Sequence, residues 1–219
     1  MVEHIENNGL LIVLSGSSGV GKDVVMQSTI ERQPTLKRVI TYCADRGPRP
    51  NEIDGVHYHF VSEEKFDEMI QNGEFIEYNK TPGVIKGTAR GDLEEVFSGE
   101  KVIWRIDPDR AAGIREYLTN KGCENLVPLT RTIYLGVPTI RELWRRINER
   151  KSDESKEKRV KRLKFDWKTW NEQQHNFDVM IMNETGKMDE TVDQILEFID
   201  RESKTACLPQ LRDLAFADN

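Results

Sequence analysis

Residues 10–14 read Leu-Leu-Ile-Val-Leu, an unbroken apolar run that closes on Ser15 and Gly16. A strand buried on both faces gives such a run, whereas a strand with one face in water alternates. A helical pattern follows over 22–32 and stops before Pro34. Strand, glycine turn and helix are the opening of an α/β unit. Further buried strands are predicted at 102–104, 132–135 and 179–182, with helical patterns at 109–120, 139–150 and 187–201. The alternation predicts a parallel sheet covered on both sides.

Residues 38–98 break that rhythm. His57, His59 and Val61 alternate with Tyr58 and Phe60, residues 75–78 form another short strand, and a helix at 62–72 lies between them. The expected domain plan is therefore a core of 1–37 and 99–202, with a small mixed α+β insertion at 38–98. Residues 151–161 are nearly devoid of apolar side chains and are expected to be mobile. The tail, 203–219, carries Leu208, Leu211, Leu214 and Phe216 at helical spacing, interrupted by Pro209, and its pattern leaves docking open.

Composition adds a constraint. The 219 residues are 37% hydrophobic and 32% charged with a net charge of −6, which fits a soluble globular protein and argues against broad binding of nucleic acid or anionic membrane. Residues 141–162 are the exception: ten Lys/Arg against five Asp/Glu give +5, leaving −11 for the rest. Bound phosphates would account for such a cationic stretch. Cys43, Cys123 and Cys207 are too few and scattered for a disulfide framework or a zinc site. With no basic segment at the start and an apolar run too short for a signal peptide, the expected location is the cytoplasm.

The chemistry begins at Gly16-Ser17-Ser18-Gly19-Val20-Gly21-Lys22, which matches G-x-x-x-x-G-K between a buried strand and a helix. Glycines let the backbone curl so that successive N–H groups point at phosphate oxygens, the helix N-terminus adds positive potential, and the lysine reaches the outer phosphates. The next position usually holds Ser or Thr, whose hydroxyl ligates Mg²⁺; here it is Asp23, whose carboxylate is also a hard ligand for that ion.

Downstream, Arg46-Gly47-Pro48-Arg49-Pro50-Asn51-Glu52, then 53–62, Gly73-Glu74-Phe75-Ile76-Glu77-Tyr78 and Gly87-Thr88 follow in order. From about residue 10 to 201 the chain resembles the guanylate kinase family, whose segment R-x-P-R-x-G-E the arginine stretch looks like. The resemblance implies a P-loop α/β fold with an acceptor-binding insertion and a short helical lid at about 140–165. It implies transfer of the γ-phosphate of ATP to GMP with Mg²⁺. Gly16, Ser17, Ser18, Gly19, Val20, Gly21, Lys22 and Asp23 would bind ATP, with Asp23 on the metal. Arg46, Arg49 and Tyr58 would take the acceptor phosphate, guanidinium forks suiting that group. Glu77, Thr88 and Asp107 would read guanine, with Lys86 and Gly87 beside them. Lid arginines, for which Arg146, Arg150 and Arg162 are the candidates, would join Lys22 and Arg46 in stabilising the transferring group.

The chain departs from the family at Asp23, Tyr42, Ala44, Asp45, Lys86 and Arg105. A G-K-D ending is also similar to that of ribose 1,5-bisphosphate phosphokinase, whose acceptor carries no base, and non-catalytic guanylate-kinase-like binding domains are a further alternative. Arg105, where the family has Asp, is expected to form an ion pair with Asp23. The histidines at 57 and 59 are expected on a strand surface, and Trp144, Trp167 and Trp170 in helix packing.

Overall fold

The computed structural model describes residues 9–50, 52–149 and 156–205. In chain order the strands are β1 (Leu10–Gly16), β2 (Leu36–Arg38), β3 (Tyr42–Cys43), β4 (His59–Phe60), β5 (Phe75–Thr81), β6 (Val84–Ala89), β7 (Lys101–Arg105), β8 (Thr130–Gly136) and β9 (Val179–Met182). The helices are α1 (Lys22–Arg32), α2 (Glu63–Gln71), α3 (Arg90–Glu94), α4 (Pro108–Ala112), α5 (Ile114–Asn120), α6 (Ile140–Glu149), α7 (Lys156–Gln173) and α8 (Met188–Ser203).

β1 is buried along its whole length because it lies at the centre of a five-stranded parallel sheet ordered β2-β7-β1-β8-β9. Helices α1 and α8 pack on β1 and on each other, while α4 packs on β1 and β8. Since the strands are parallel, β1, β7 and β8 all deliver their C-terminal ends to one edge, where α/β sheets bind ligands. The loop after β1, the residues 105–107 after β7, and Gly136 therefore meet there.

A second sheet, β4-β3-β6-β5, carries α2 on one face. Ser62 caps α2 by accepting from the Lys65 N–H at 3.2 Å, and Phe66 and Met69 pack beneath it with Phe75 and Ile85. β5 and β6 form a hairpin through Pro82-Gly83, with Gly83 at φ +77°, as a two-residue turn with Gly at its second position requires.

The structure corrects several expectations. β2 was not foreseen, because only Leu36 of its three residues is buried. The predicted helix 109–120 is two, α4 and α5, parted at Gly113. The alternating stretch 57–61 forms only the two-residue β4, and Tyr58 makes an isolated bridge to Asp54. His57 is not on a strand; its Nδ1 accepts the Ile53 N–H at 3.0 Å. Residues 156–161, expected to be mobile, begin α7; 151–155 lie outside the described residues. So do residues 206–219 of the tail, whose first residue, Ser203, closes α8.

Candidate active site

The loop from Gly16 to Lys22 forms the predicted cradle. Gly16, Gly19 and Gly21 take φ of +147°, +91° and +94°, conformations that a β-carbon disfavours. Contacts reinforce the demand: a β-carbon on Gly16 would strike the Leu135 carbonyl oxygen, and one on Gly19 would sit 2.7 Å from Ile147 Cγ1. Gly16, Ser18, Gly19, Gly21, Lys22 and Asp23 line a cavity of about 580 Å³, the one expected to take the phosphate donor. Lys22 is drawn back over its own loop, its Nζ donating to the carbonyls of Gly16 and of Ser17, the latter at 3.0 Å.

Ser17 and Val20 support the cradle from behind. Ser17 Oγ shares a 2.8 Å hydrogen bond with the Tyr134 hydroxyl, and the Tyr134 ring lies 4.3 Å from that of Trp170. The Val20 carbonyl accepts from Asn183 Nδ2 at 2.7 Å and Arg146 Nη1 at 3.2 Å. Arg146 also donates to the Asn183 carbonyl at 2.7 Å and to Glu142 at 2.9 Å, and its side chain is only 16% exposed. The expected lid cation is thus a strap holding the loop. Glu142 anchors it, its carboxyl held down at about 2 by Arg145 first and then by Thr185 and Arg146. Arg150 and the side chain of Arg162 lie outside what the structure describes. Trp144 packs against the core, as expected, whereas Trp167 is 45% exposed.

Facing the donor cavity is a second one of about 680 Å³, lined by Glu77, Lys86, Gly87, Thr88 and Asp107. The hairpin creates this set. Glu77 and Thr88 are register partners across β5 and β6, and the Thr88 hydroxyl donates to Glu77 Oε1 at 3.4 Å. Burial pushes the Glu77 carboxyl up from the ordinary range, against the Arg110 guanidinium and the Thr88 hydroxyl. Gly87 is required by packing, since a β-carbon there would lie 2.8 Å from the Phe75 ring. Asp107 precedes α4 as its N-cap but makes no side-chain capping bond, which leaves its carboxylate on the wall of both cavities.

Arg46, Tyr58 and Lys86 are brought together: the Arg46 guanidinium lies 5.4 Å and the Lys86 ammonium 5.0 Å from the Tyr58 ring centroid. Glu52 fixes Arg46 through both carboxylate oxygens, at 2.5 and 2.8 Å. That pairing holds the Glu52 carboxyl down at about 2, with the Arg49 N–H adding to the effect. Arg49 joins the group through its backbone, at 2.9 Å from Glu52; its side chain is exposed.

The two cavities share the wall formed by Arg105, Asp107 and Arg110. Arg105 pairs with Asp23 at 3.0 Å, as expected. Arg110 and Phe165 were missed by sequence reasoning. Arg110 stacks 3.9 Å over the Tyr117 ring and approaches Glu77 at 3.8 Å; its position three residues after Asp107, on the first turn of the next helix, was the available signal. Phe165, 55% exposed, reaches the donor cavity from α7, and nothing in the sequence around it marks that placement.

Comparison with known proteins accords with this geometry. A family model described as guanylate kinase matches residues 8–202. A guanylate kinase of Aliivibrio fischeri is 35% identical over 190 residues, covering 84% of this chain and 86% of that one. One from a Nostoc species is 36% identical over 180 residues, with coverage of 81% and 83%. The crystal structure of guanylate kinase from Anaplasma phagocytophilum superposes with a TM-score of 0.65 at 25% identity, covering 96% of this chain and 95% of that one.

Proposed function

This chain belongs to the guanylate kinase family, and from that premise and its site we propose that it transfers the γ-phosphate of ATP to GMP, giving ADP and GDP. The observation that carries the reading is a pair of cavities with one common wall, one built of phosphate-cradling loop and the other lined by Glu77, Thr88 and Asp107. Glu77 accepts from the N1–H and amino group of guanine, groups that adenine does not present together. A site whose buried polar atoms go unpaired with the wrong base rejects it strongly.

In this reading residues 38–98 hold the acceptor, and α6 and α7 cover the donor. The loop amides and Lys22 hold the donor phosphates, while Arg46, Tyr58 and Lys86 hold the acceptor phosphate. Asp23 suits a Mg²⁺ ion arriving with ATP, because it offers an exposed carboxylate on the donor wall. The ion would draw its other ligands from phosphate and water, and it supplies charge neutralisation to the transferring group. An acceptor phosphate is already ionised at neutral pH, so the protein acts by positioning and electrostatics. No helix among the described residues is long and apolar enough to cross a membrane, and the cytoplasm, which holds both substrates, is the compartment this function implies.

The test is ADP release with Mg·ATP and, in turn, GMP, dGMP, AMP, UMP and ribose 1,5-bisphosphate. GMP should be preferred over AMP and UMP by at least about a hundredfold in kcat/KM. Glu77→Ala should lower kcat/KM for GMP about a hundredfold while leaving the KM for ATP unchanged. A preference for the baseless sugar would move the function to another phospho-acceptor.

A further inference from the structure

Asp23 and Arg105 come from different elements, the first turn of α1 and the end of β7, and meet at 3.0 Å. The sheet arranges this, because Arg105 lies in register with Leu14, just ahead of the phosphate loop. Their side chains are 59% and 37% exposed, and an exposed pair of that kind adds little to stability. Its position matters more. Both residues line the donor cavity, and of the two only Arg105 also lines the acceptor cavity.

A third charge stands beside them. Arg38, at the end of β2, is half-buried and its Nε has no hydrogen-bond partner. Burial pushes its guanidinium down, Asp23 opposes that shift, and Arg105 adds to it. One carboxylate therefore serves two guanidinium groups. Anything that claims the carboxylate takes that counter-charge from both, from Arg105 on the wall of the two cavities and from Arg38 on the wall of a third.

We propose that Arg105 is a conditional binding residue for the acceptor phosphate, held by Asp23 in the free protein and released when a divalent cation takes Asp23. The inference rests on the donor and acceptor assignments above. On the donor side the loop amides and Lys22 are already assigned to the phosphates. The released guanidinium is therefore more useful across the shared wall, where Arg110 is engaged with Glu77 and Tyr117. Metal-bearing donor and acceptor then strengthen each other's binding by the same factor, since coupling between sites is reciprocal.

Calorimetric titration of GMP into the full chain tests this in three arms: protein alone, protein with a β,γ-imido ATP analogue and Mg²⁺, and protein with that analogue and EDTA. For the unmodified chain GMP should bind about tenfold tighter in the Mg²⁺ arm than in either other arm. Asp23→Ser should bring that tighter binding to the protein alone, and Arg105→Ala should bind weakly in every arm with no gain. The double variant should bind as weakly as Arg105→Ala. Tight binding by the double variant would mean that removing the negative charge of Asp23 suffices, and the inference fails. It also fails if the gain is absent in the unmodified chain, persists in EDTA, or is not transferred by Asp23→Ser. Each of those results still records GMP binding and leaves the acceptor assignment standing. Absence of GMP binding in every arm, with the analogue bound, removes both.

Discussion

The donor and acceptor halves of the site are built on different principles. The donor cradle is backbone: three glycines at positive φ, set between the central strand and α1, with Ser17, Asn183 and Arg146 bracing the loop from behind. The acceptor half is side chains on short strands and loops, and its groups are kept in place by one another: Arg46 by Glu52, Glu77 by Thr88 and Arg110, Lys86 over Tyr58. A backbone cradle is as rigid as the core beneath it, whereas a side-chain constellation depends on each partner's charge. The geometry of the first is therefore set by backbone shape, and that of the second by which charged partners are present.

The sharpest break in this comparison is Lys22→Ala, which removes the cradle's cationic side chain and leaves its amides. Turnover should fall at least about a hundredfold while circular dichroism and melting temperature stay close to those of the unmodified chain. Gly16→Ala tests shape in the same loop. Its β-carbon meets a backbone carbonyl at positive φ, so stability should fall by about 3 kcal/mol, or roughly 6–12 °C in melting temperature. A loss smaller than about 1 kcal/mol, within the range of ordinary surface substitutions, would show the cradle to be more pliant than its geometry implies.

On the acceptor side Glu52→Gln keeps the shape and removes the charge that orients Arg46. The KM for the acceptor should rise about tenfold, the loss of one charge-assisted pair, with the KM for ATP unchanged; steady-state kinetics with each substrate varied in turn separates the two.

The smallest effect is a stability change at Glu77. Its carboxyl is raised in the folded chain above the ordinary 4.5, chiefly by burial. A raised folded value means that this group's contribution to stability is full below the unfolded value and is lost as pH rises through the folded one. Glu77→Gln should therefore melt higher than the unmodified chain at neutral pH, and the gap should shrink as pH falls toward 4.5. Acceptor binding should move the other way, weakening on acidification at a higher pH than an ordinary carboxylate would give. Parallel melting curves for the two proteins across that range would remove burial of Glu77 as the cause.

Much of the donor half was legible beforehand because its signals are local. An apolar run, a glycine pattern and a lysine at fixed spacing carry their own geometry, and the Asp23–Arg105 pair followed from two departures at facing positions. The acceptor half was legible as a list of residues, but not as an arrangement. Glu77 and Thr88 face each other only because β5 pairs with β6, and β6 gave no alternating pattern to announce it, since Gly87 packs against Phe75 and Thr88 is buried. Arg146 was expected in a lid by resemblance, yet its contacts come from Val20 and Asn183, 126 and 37 residues away along the chain.

By itself, the order of residues determined the parallel core, the phosphate loop and the chemistry on offer, because backbone conformation and burial of apolar runs depend on near neighbours. Apart from the Asp23–Arg105 pair, only the tertiary structure decided which charges meet. Arg105 stands between two cavities, Arg146 straps a loop and Arg110 joins the acceptor wall because strands distant in sequence end at one edge of the sheet. Electrostatic interaction acts through space, and sequence separation does not measure it.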